Sequence, residues 1–418
     1  MNELTLLFLL FLAVSIIIQF WLAERQKACV RGHQNAVPSV FAEKVSLEEH
    51  QKAATYTLTK TNFSQKMLII ETIILLLWIF GGLLNVLDDA WRSLEWSNLW
   101  TGVAVLISFS LISTLIDIPV SIYSTFRIEA QFGFNRTTPT LFITDMFKSL
   151  ILSLVIGIPF LALVLWLMES AGTLWWLYVW IVWFSFSLLM MWAFPIFIAP
   201  LFNKFQPLED NALKERIETL LQDNGFSSQG IFVMDGSKRS GHGNAYFTGF
   251  GKNKRIVFFD TLLKGLNIEE MVAVLAHEIG HFKRKHIQKR IVLMACMSLT
   301  GLALLGWLMQ QDWFYTGLGI QNQSTYIALL LFMLVLPIFT FFLHPIMAWF
   351  SRKDEFEADD FAAVEANSLA LIQALVKLYK ENANTLTPDP LYSAFYDSHP
   401  PAPVRIAHLS AKMNTSTS

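Results

Sequence analysis

Residues 174 to 197 read LWWLYVWIVWFSFSLLMMWAFPIF, a run without a single charged side chain. A helix needs about 20 mainly apolar residues to cross the hydrocarbon core of a bilayer. This stretch therefore predicts a transmembrane helix, and six further segments have the same character. The seven predicted spans are Thr5–Leu22, Met67–Leu87, Leu99–Ser124, Phe147–Met168, Leu174–Phe197, Ile291–Met309 and Tyr326–Phe350.

The composition of the 418 residues agrees with a multi-span membrane protein. The hydrophobic share is 54% and the charged share only 15%, whereas soluble domains carry about 25% charged residues. The composition excludes a disordered chain and an ordinary soluble enzyme. The net charge of −2 excludes nucleic-acid binding driven by charge. The two Cys residues exclude a disulfide framework and a cysteine-based zinc site.

The distribution of positive charge predicts the orientation in the membrane. Of the 31 Lys and Arg residues, 29 fall in the segments 23–66, 127–146, 204–290 and 351–418. Cytosolic segments carry the Lys and Arg excess, so we expect the N-terminus outside and these four segments in the cytosol. No positive charge precedes the first apolar segment, which favours a retained span over a cleaved signal peptide.

The polar segments contain short periodic stretches. The sequence predicts an amphipathic helix over Asn211–Asp223 and strands over Gly230–Asp235, Asn244–Phe250 and Arg255–Asp260, the last two joined by a turn at Gly251–Lys254. A helix is predicted to start at Asn267, because Asn267 and Glu270 form a capping-box pattern. Further helices are predicted over Arg352–Ala366 and Ser368–Glu381, followed by an extended tail from Thr385.

The helix after Asn267 contains His277-Glu278-Ile279-Gly280-His281. Two histidines four residues apart lie on one face of a helix, so both can bind one zinc ion. Glu278 beside them is placed to accept a proton from a metal-bound water. The apolar neighbours of the motif predict that this helix is buried, where unpartnered polar groups are costly. The motif therefore predicts a catalytic zinc site with Glu278 as general base.

Catalytic zinc takes a third protein ligand, which here is a His, Glu or Asp. The cytosolic candidates are His242, His286, Glu355, Glu357, Asp359, Asp360 and His399. His286 is expected on the wrong face of the helix. Glu355 and Asp359 fit best, because they share one helical face. One of them can bind zinc while the other orients a ligand histidine.

Seven segments, in order, resemble the type I CAAX prenyl endopeptidases, which are integral-membrane zinc metalloproteases. These segments are Asp117–Phe126, Phe132–Arg136, Ile198–Lys204, Asn244–Gly249, His277–His281, Glu355–Asp359 and Ser398–Pro400 with Arg405. The resemblance implies a mainly α membrane protein with seven transmembrane helices around a large water-filled internal chamber and a small α+β cytosolic metalloprotease domain. It also implies that Glu355 is the third zinc ligand and Asp359 its neighbour in the outer shell.

The same resemblance places His399 beside the site, where it is a candidate donor to the oxyanion. Arg405 is a candidate for orienting a carboxylate. A protease holds its peptide extended, often as an added strand. We therefore expect the backbone of Ala245, Tyr246 and Phe247 to pair with the peptide, and the Asn244 amide to contact it beside the scissile bond.

We expect four parts in this chain. Residues 1–203 hold spans 1 to 5 with cytosolic loops 23–66 and 127–146. Residues 204–290 form the protease domain with the zinc-binding helix, residues 291–350 hold spans 6 and 7, and residues 351–418 supply the third ligand. Expected partners are one Zn²⁺, a peptide or protein substrate that is prenylated or membrane-associated, and membrane lipid, with no nucleic acid.

Three other functions are compatible with a zinc motif in a membrane protein. They are an intramembrane site-2-type protease, a shorter quality-control membrane protease of the same clan, and a non-enzymatic transporter or scaffold with a structural zinc. Glu278 argues against the scaffold, because a structural site needs no base.

Glu71 and Asp117 lie inside apolar runs and predict an interhelical pair or a wet cavity. The compact cytosolic segments and the absence of a retrieval tail favour the bacterial inner membrane over the endoplasmic reticulum.

Overall fold

A computed structural model describes residues 2–248 and 253–416, and most of this chain is helical. In the described part, seven helical segments are long and apolar enough to cross a membrane, and each overlaps one predicted span, so the prediction of seven spans is confirmed. They are Glu3–His33, Leu47–Ile79, Asn98–Glu129, Pro139–Ser170, Gly172–Phe202, His286–Leu308 and Thr325–Glu365.

The helices and strands follow one another in three groups. The first group holds α1 (Glu3–His33), α2 (Leu47–Ile79), α3 (Leu83–Arg92), α4 (Asn98–Tyr123), α5 (Pro139–Ser170), α6 (Trp175–Ala193) and α7 (Ala199–Phe202). The second holds β1 (Phe205–Pro207), α8 (Asn211–Asp223), β2 (Ser227–Met234), β3 (Ala245–Thr248), β4 (Asn253–Phe259), α9 (Asp260–Gly265) and α10 (Ile268–Lys283). The third holds α11 (His286–Leu308), α12 (Asp312–Gly317), α13 (Thr325–Thr340), α14 (His344–Glu365), α15 (Ser368–Glu381), α16 (Pro390–Tyr396) and α17 (Ala402–Ser416).

Two predicted boundaries in the membrane part were wrong. The second span ends at Ile79 rather than Leu87, because Gly82 adopts a φ of +80° and separates α2 from α3. The segment 23–66 is mostly helix rather than loop. In that segment α1 runs on to His33, and α2 begins at Leu47 after a capping box between Ser46 and Glu49.

The spans are poorly buried against one another. Helix α1 packs against α2 and α13, α4 against α5 and α13, and α6 against α5 and α11. Yet in the most apolar 18 residues of each span only 11 to 39% are buried. Side chains such as Leu115 and Val155 are 65% exposed. Such low burial fits a ring of helices that has an inner surface as well as a lipid-facing one.

The polar unit between the fifth and sixth spans is a small α+β layer. Its four-stranded sheet has the order β1-β2-β4-β3, with β2 and β4 parallel and the other pairs antiparallel. Strand β3 is therefore an edge strand. The predicted helix Asn211–Asp223 and the three predicted strands are confirmed. Residues 249–252, which include part of the predicted turn at Gly251–Lys254, lie outside the described residues.

Helices α15 and α17 close this unit on the side away from the sheet. Buried side chains from α8, β4, α10, α15 and α17 form one core, for example Ile217, Phe258, Leu275, Leu371 and Leu409. The predicted helix Ser368–Glu381 is confirmed, and the predicted Arg352–Ala366 helix is the end of the longer α14.

The extended tail predicted from Thr385 was wrong, because α16 and α17 lie in it. Pro390 occupies the first turn of α16 directly after its N-cap Asp389, a position where proline is tolerated. Ile406 and Leu409 anchor α17 in the core. The prolines of this segment thus start a helix instead of preventing one.

Candidate metal centre and active site

Helix α10 presents the two histidines of the motif on one buried face. Asn267 caps the helix by accepting the N–H of Glu270 at 2.9 Å, and the Glu270 carboxylate accepts the N–H of Asn267 at 2.8 Å. The helix buries Leu275 and Ile279 in the core. The Nε2 atoms of His277 and His281 lie 3.3 Å apart, so the two rings converge on one point.

Helix α14 brings a carboxylate to that point. Glu355 is only 2% exposed, and its two oxygens lie 3.3 Å from His277 Nε2 and 3.3 Å from His281 Nε2. One ligand atom from each of these three side chains lies within 4.8 Å of the other two. The seventh span continues through a single 3-10 turn at Phe341–Leu343 into α14. The membrane helix therefore positions Glu355 directly.

These residues fit a metal ion. The Oε2 atom of Glu355 is buried and accepts no well-formed hydrogen bond, although His277 Nε2 lies 3.3 Å and Arg405 Nη1 3.7 Å away, and burial of a poorly paired carboxylate oxygen is unfavourable. Two imidazole nitrogens and one carboxylate form the donor set found in catalytic zinc sites. A cation at the centre of the triangle would satisfy all three side chains.

Asp359 and Arg405 surround the outer nitrogen of His277. The Nδ1 atom of His277 lies 2.8 Å from Asp359 Oδ1. Arg405 of α17 donates from Nε to Asp359 Oδ2 at 2.8 Å and from Nη2 to Oδ1. Asp359 is fully buried, and Arg405 is 7% exposed. Burial and the Arg405 charge lower the pKa of His277, but its hydrogen bonds to Asp359 and Glu355 outweigh them and raise it above the usual range.

Glu278 and His399 line the cleft in front of the triad. This cleft has a volume of about 240 Å³, and Asn244, Ala245, His277 and Arg405 line it as well. Glu278 is half-buried, whereas the His399 side chain is 63% exposed. The Nε2 atom of His399 lies 3.3 Å from Glu355 Oε1, and its Nδ1 lies 2.9 Å from the Ser398 hydroxyl.

The free edge of β3 borders the same cleft. Phe259 donates its backbone N–H to the carbonyl of Asn244 at 2.9 Å, and hydrogen-bonded positions alternate along an antiparallel pair. The backbone of Tyr246 is thus turned to its partner Val257 in β4. Ala245 and Phe247 present their backbone groups to the free edge, and Tyr246 does not.

A second cavity also borders His399. It has a volume of about 500 Å³, and side chains from α1, α2 and the C-terminal segment line it. Most of these side chains are polar, among them Lys60 and the four tyrosines Tyr56, Tyr379, Tyr392 and Tyr396. The two cavities share His399. The cleft of about 240 Å³ is the one that borders the triad, through His277.

The remaining ligand candidates lie elsewhere. Asp360 pairs with His408 and Lys412. His242 stacks on Phe134 with ring centroids 4.2 Å apart, and its Nδ1 lies 3.1 Å from the amide oxygen of Asn382. This contact joins the predicted Phe132–Arg136 segment to the loop that leads into Asn244. His242 is therefore placed to hold that loop.

Sequence reasoning missed the position of His286. Helix α10 ends at Lys283, and His286 begins α11 after Lys285, which adopts a left-handed φ of +59°. The imidazole of His286 consequently faces His281, with the two Nδ1 atoms 2.9 Å apart. No spacing rule for a continuous helix predicts this contact, because the chain reverses between the two histidines.

Two acidic residues within the spans border a cavity in the membrane part. Glu71 and Asp117 both line a space of about 230 Å³, together with Trp78 and Phe109. The alternatives predicted for them were a pair or a wet cavity, and the structure places them at the wall of one cavity.

Two family models match the chain. The model described as "CAAX prenyl protease N-terminal, five membrane helices" matches residues 26–204, and the model of peptidase family M48 matches residues 207–413. Their boundary falls where the chain leaves the fifth span for the polar unit.

Curated proteins and a solved structure match over nearly the full length. The CAAX prenyl protease 1 homolog of Oryza sativa is 36% identical, with 96% of each chain covered. The CAAX prenyl protease 1 of Saccharomyces cerevisiae is 35% identical over 90% of this chain and 89% of its own. The crystal structure of S. mikatae Ste24p matches with a TM-score of 0.91 and 34% identity, covering 98% of this chain and 99% of that one.

Proposed function

Because this chain belongs to the CAAX prenyl protease branch of peptidase family M48 and is a membrane metalloendopeptidase, we propose that one zinc ion held by His277, His281 and Glu355 serves its reaction. The resemblance inferred from the sequence motifs is thereby confirmed. The observation that carries the proposal is the cluster of three ligand atoms within 4.8 Å of one another. Glu278 lines the cleft in front of it.

Glu278 and His399 have separate roles in the proposed hydrolysis. A bound zinc ion would polarise the scissile carbonyl and acidify a water molecule beside it. Glu278 takes the proton of the attacking water and delivers it to the amine that leaves. His399 lies next to Glu355 and donates a hydrogen bond to the carbonyl oxygen as negative charge develops there.

Asp359 and Arg405 support this centre from behind. Asp359 accepts the Nδ1–H of His277, which fixes the ring so that its Nε2 lone pair points to the metal. Arg405 compensates the buried charge of Asp359 through two hydrogen bonds. Without that pairing a buried carboxylate would carry a large desolvation cost.

The substrate is held as an added strand on the free edge of β3. Ala245 and Phe247 supply outward-facing backbone groups, and Asn244 is exposed at the cleft. An extended peptide in that position continues past His399 into the 500 Å³ cavity. The polar lining of that cavity suits the peptide backbone rather than a lipid chain.

The substrate class follows from the relatives. We infer that the chain cuts C-terminal prenylated CAAX peptides after the modified cysteine, and also other membrane-associated peptides. The match of the N-terminal model over residues 26–204 favours this activity over a shorter quality-control protease. Glu278 in the cleft favours an enzyme over a transporter or scaffold.

The positive charges support a membrane orientation with the N-terminus outside and the metal centre toward the cytosol. The compact polar segments favour a bacterial inner membrane, whereas the relatives named above are eukaryotic and favour the endoplasmic reticulum. Fractionation of the native cells decides between these two compartments.

A peptidase assay on the purified chain tests the function. A farnesylated CAAX peptide, the same peptide without the farnesyl group and an internal peptide of similar length are compared. We expect cleavage of the farnesylated peptide that a zinc chelator abolishes and added Zn²⁺ restores. Cleavage that persists after all metal has been removed would exclude the proposed metal chemistry.

A further inference from the structure

His286 is buried beside the metal centre, but it is neither in the cluster of proposed zinc ligands nor among the residues that line the cleft. Its side chain is 1% exposed, and its ring lies edge-on to His281 with centroids 5.1 Å apart. Its Nδ1 lies 2.9 Å from His281 Nδ1, and its Nε2 lies 3.2 Å from Glu357 Oε2 and 3.5 Å from Asp354 Oδ1. The three side chains Glu357, His286 and His281 therefore form a continuous chain of contacts.

The positions of the protons in this chain follow from the metal site. The Nε2 atom of His281 lies 3.3 Å from Glu355 Oε1 and faces the other ligands, so it must be unprotonated to bind a cation. The ring N–H of His281 is then on Nδ1 and donates to His286 Nδ1. That bond places the N–H of His286 on Nε2, where it donates to Glu357. Every polar atom of the two rings is satisfied in this single arrangement.

We propose that His286 is a positioning residue that holds the zinc ligand His281 through a hydrogen-bonded relay ending on Glu357 and Asp354. The two ligand histidines are thus oriented in different ways. His277 donates directly to the carboxylate of Asp359, whereas His281 reaches its carboxylates through a second imidazole. Such outer partners fix the ligand ring and raise its basicity.

The backbone supports this assignment. Lys285 adopts a left-handed conformation with a φ of +59°, which is unfavourable for a residue other than glycine. That conformation ends α10 and begins α11, so the chain turns His286 back onto His281. The relay rests on the proposed zinc site, and it is tested by the affinity for Zn²⁺, which does not depend on peptide hydrolysis.

The experiment measures the dissociation constant of Zn²⁺ by competition with a chelator on the full-length protein. His286→Phe keeps a buried ring without an acceptor and should weaken zinc binding about 10–100-fold. His286→Asn offers an amide oxygen near the position of Nδ1 and should recover part of the affinity. A merely structural role for the ring predicts the opposite order, because Phe fills the space better than Asn.

Two further variants make the test decisive. The double variant Glu357→Gln with Asp354→Asn leaves the ring in place and should weaken zinc binding in the same direction, though less. Asp360→Asn removes a carboxylate from the same helix without touching the relay, and should bind zinc like the wild type. The visible spectrum of the Co²⁺-loaded protein should change in His286→Phe and remain in Asp360→Asn.

Wild-type zinc affinity in His286→Phe would overturn the relay. If that variant fails to fold, unchanged affinity in the double variant overturns it equally. Failure of the wild-type chain to bind zinc is a separate result, which would refute the proposed metal site itself.

Discussion

Gly280 lies directly against Ala358, where α10 crosses α14. A Cβ atom on Gly280 would stand 3.0 Å from the Ala358 Cα and 3.1 Å from the Phe361 Cβ. These distances are too short for a relaxed contact. The glycine inside the His-Glu-x-x-His motif thus lets the helix with Glu355 approach the helix with His277 and His281.

Gly280→Ala should separate the two helices and weaken metal binding. An added methyl group in a packed interface costs about 1–3 kcal/mol, which outweighs the better helix propensity of alanine, about 1 kcal/mol. Metal content, thermal unfolding and turnover should all fall. Gly157→Ala is the matched control, because a Cβ there meets nothing within 4 Å. Equal metal content, thermal stability and turnover in both variants would show that metal binding does not depend on the close approach of α10 to α14 at Gly280.

Glu278→Ala should abolish hydrolysis while the metal content stays normal. Its carboxylate lines the cleft but is not in the ligand cluster. His277→Ala, His281→Ala and Glu355→Ala should lose the metal as well. Metal analysis alongside a peptidase assay separates the two classes. Substantial turnover by the Glu278→Ala protein would remove Glu278 from the proton transfers.

Asp359→Ala should reduce activity or metal affinity about 10–100-fold, because His277 loses the acceptor that orients it. The neighbouring Asp360→Ala serves as the control, since Asp360 only pairs with His408 and Lys412 near the surface. Pairs of that kind contribute about 0–1 kcal/mol. If Asp360→Ala reduced activity strongly and Asp359→Ala did not, Asp360 would be the carboxylate that orients His277.

Ala245→Pro should lower turnover while leaving thermal stability near the wild-type value. Proline is tolerated on an edge strand where the lost N–H faces away from the ladder. The Ala245 N–H points away from β4 and donates to the exposed Asn244 amide oxygen at 2.8 Å. Asn244→Ala should act in the same direction. Tyr246→Pro removes an N–H that faces β4 and should destabilise the sheet instead. Full turnover by a stable Ala245→Pro protein would exclude strand addition at β3.

The ion pair between Arg25 and Asp389 should make stability depend on pH. Burial raises the pKa of Asp389, but the backbone N–H of Tyr392 and the Arg25 guanidinium outweigh it and hold the pKa below its usual range. The stabilisation is therefore present at neutral pH and is lost as the pH falls through the lowered pKa, below about 4.

Asp389→Asn keeps a capping side chain but loses the charge. Its melting temperature should lie below that of the wild type at pH 7, and the gap should close as the pH falls below about 4. Arg25→Gln should show the same loss at pH 7. A gap between wild type and Asp389→Asn that stays constant over this range would show that the pair is not the cause.

Local sequence patterns were sufficient to predict many of the helices of this protein. The seven apolar segments, the capped helix from Asn267 and the helices Asn211–Asp223 and Ser368–Glu381 appear where periodicity and caps predict them. The extended tail predicted from Thr385 was wrong, because Pro390 occupies the first turn of α16, where a proline is compatible with a helix.

The sequence by itself determined the membrane class and predicted the paired histidines and the base of the proposed metal site, because an apolar run of membrane length and a four-residue helical spacing are local properties of the chain. Only the tertiary structure decided which carboxylate lies beside both histidines, which nitrogen of His281 faces that carboxylate and that His286 contacts the other nitrogen. The contacts around the two histidines join residues up to 128 positions apart, as in Arg405 and His277. They arise from the packing of α10 on α14, from the reach of Arg405 in α17 to His277 and Asp359, and from one left-handed residue. No local pattern of the sequence encodes these three features.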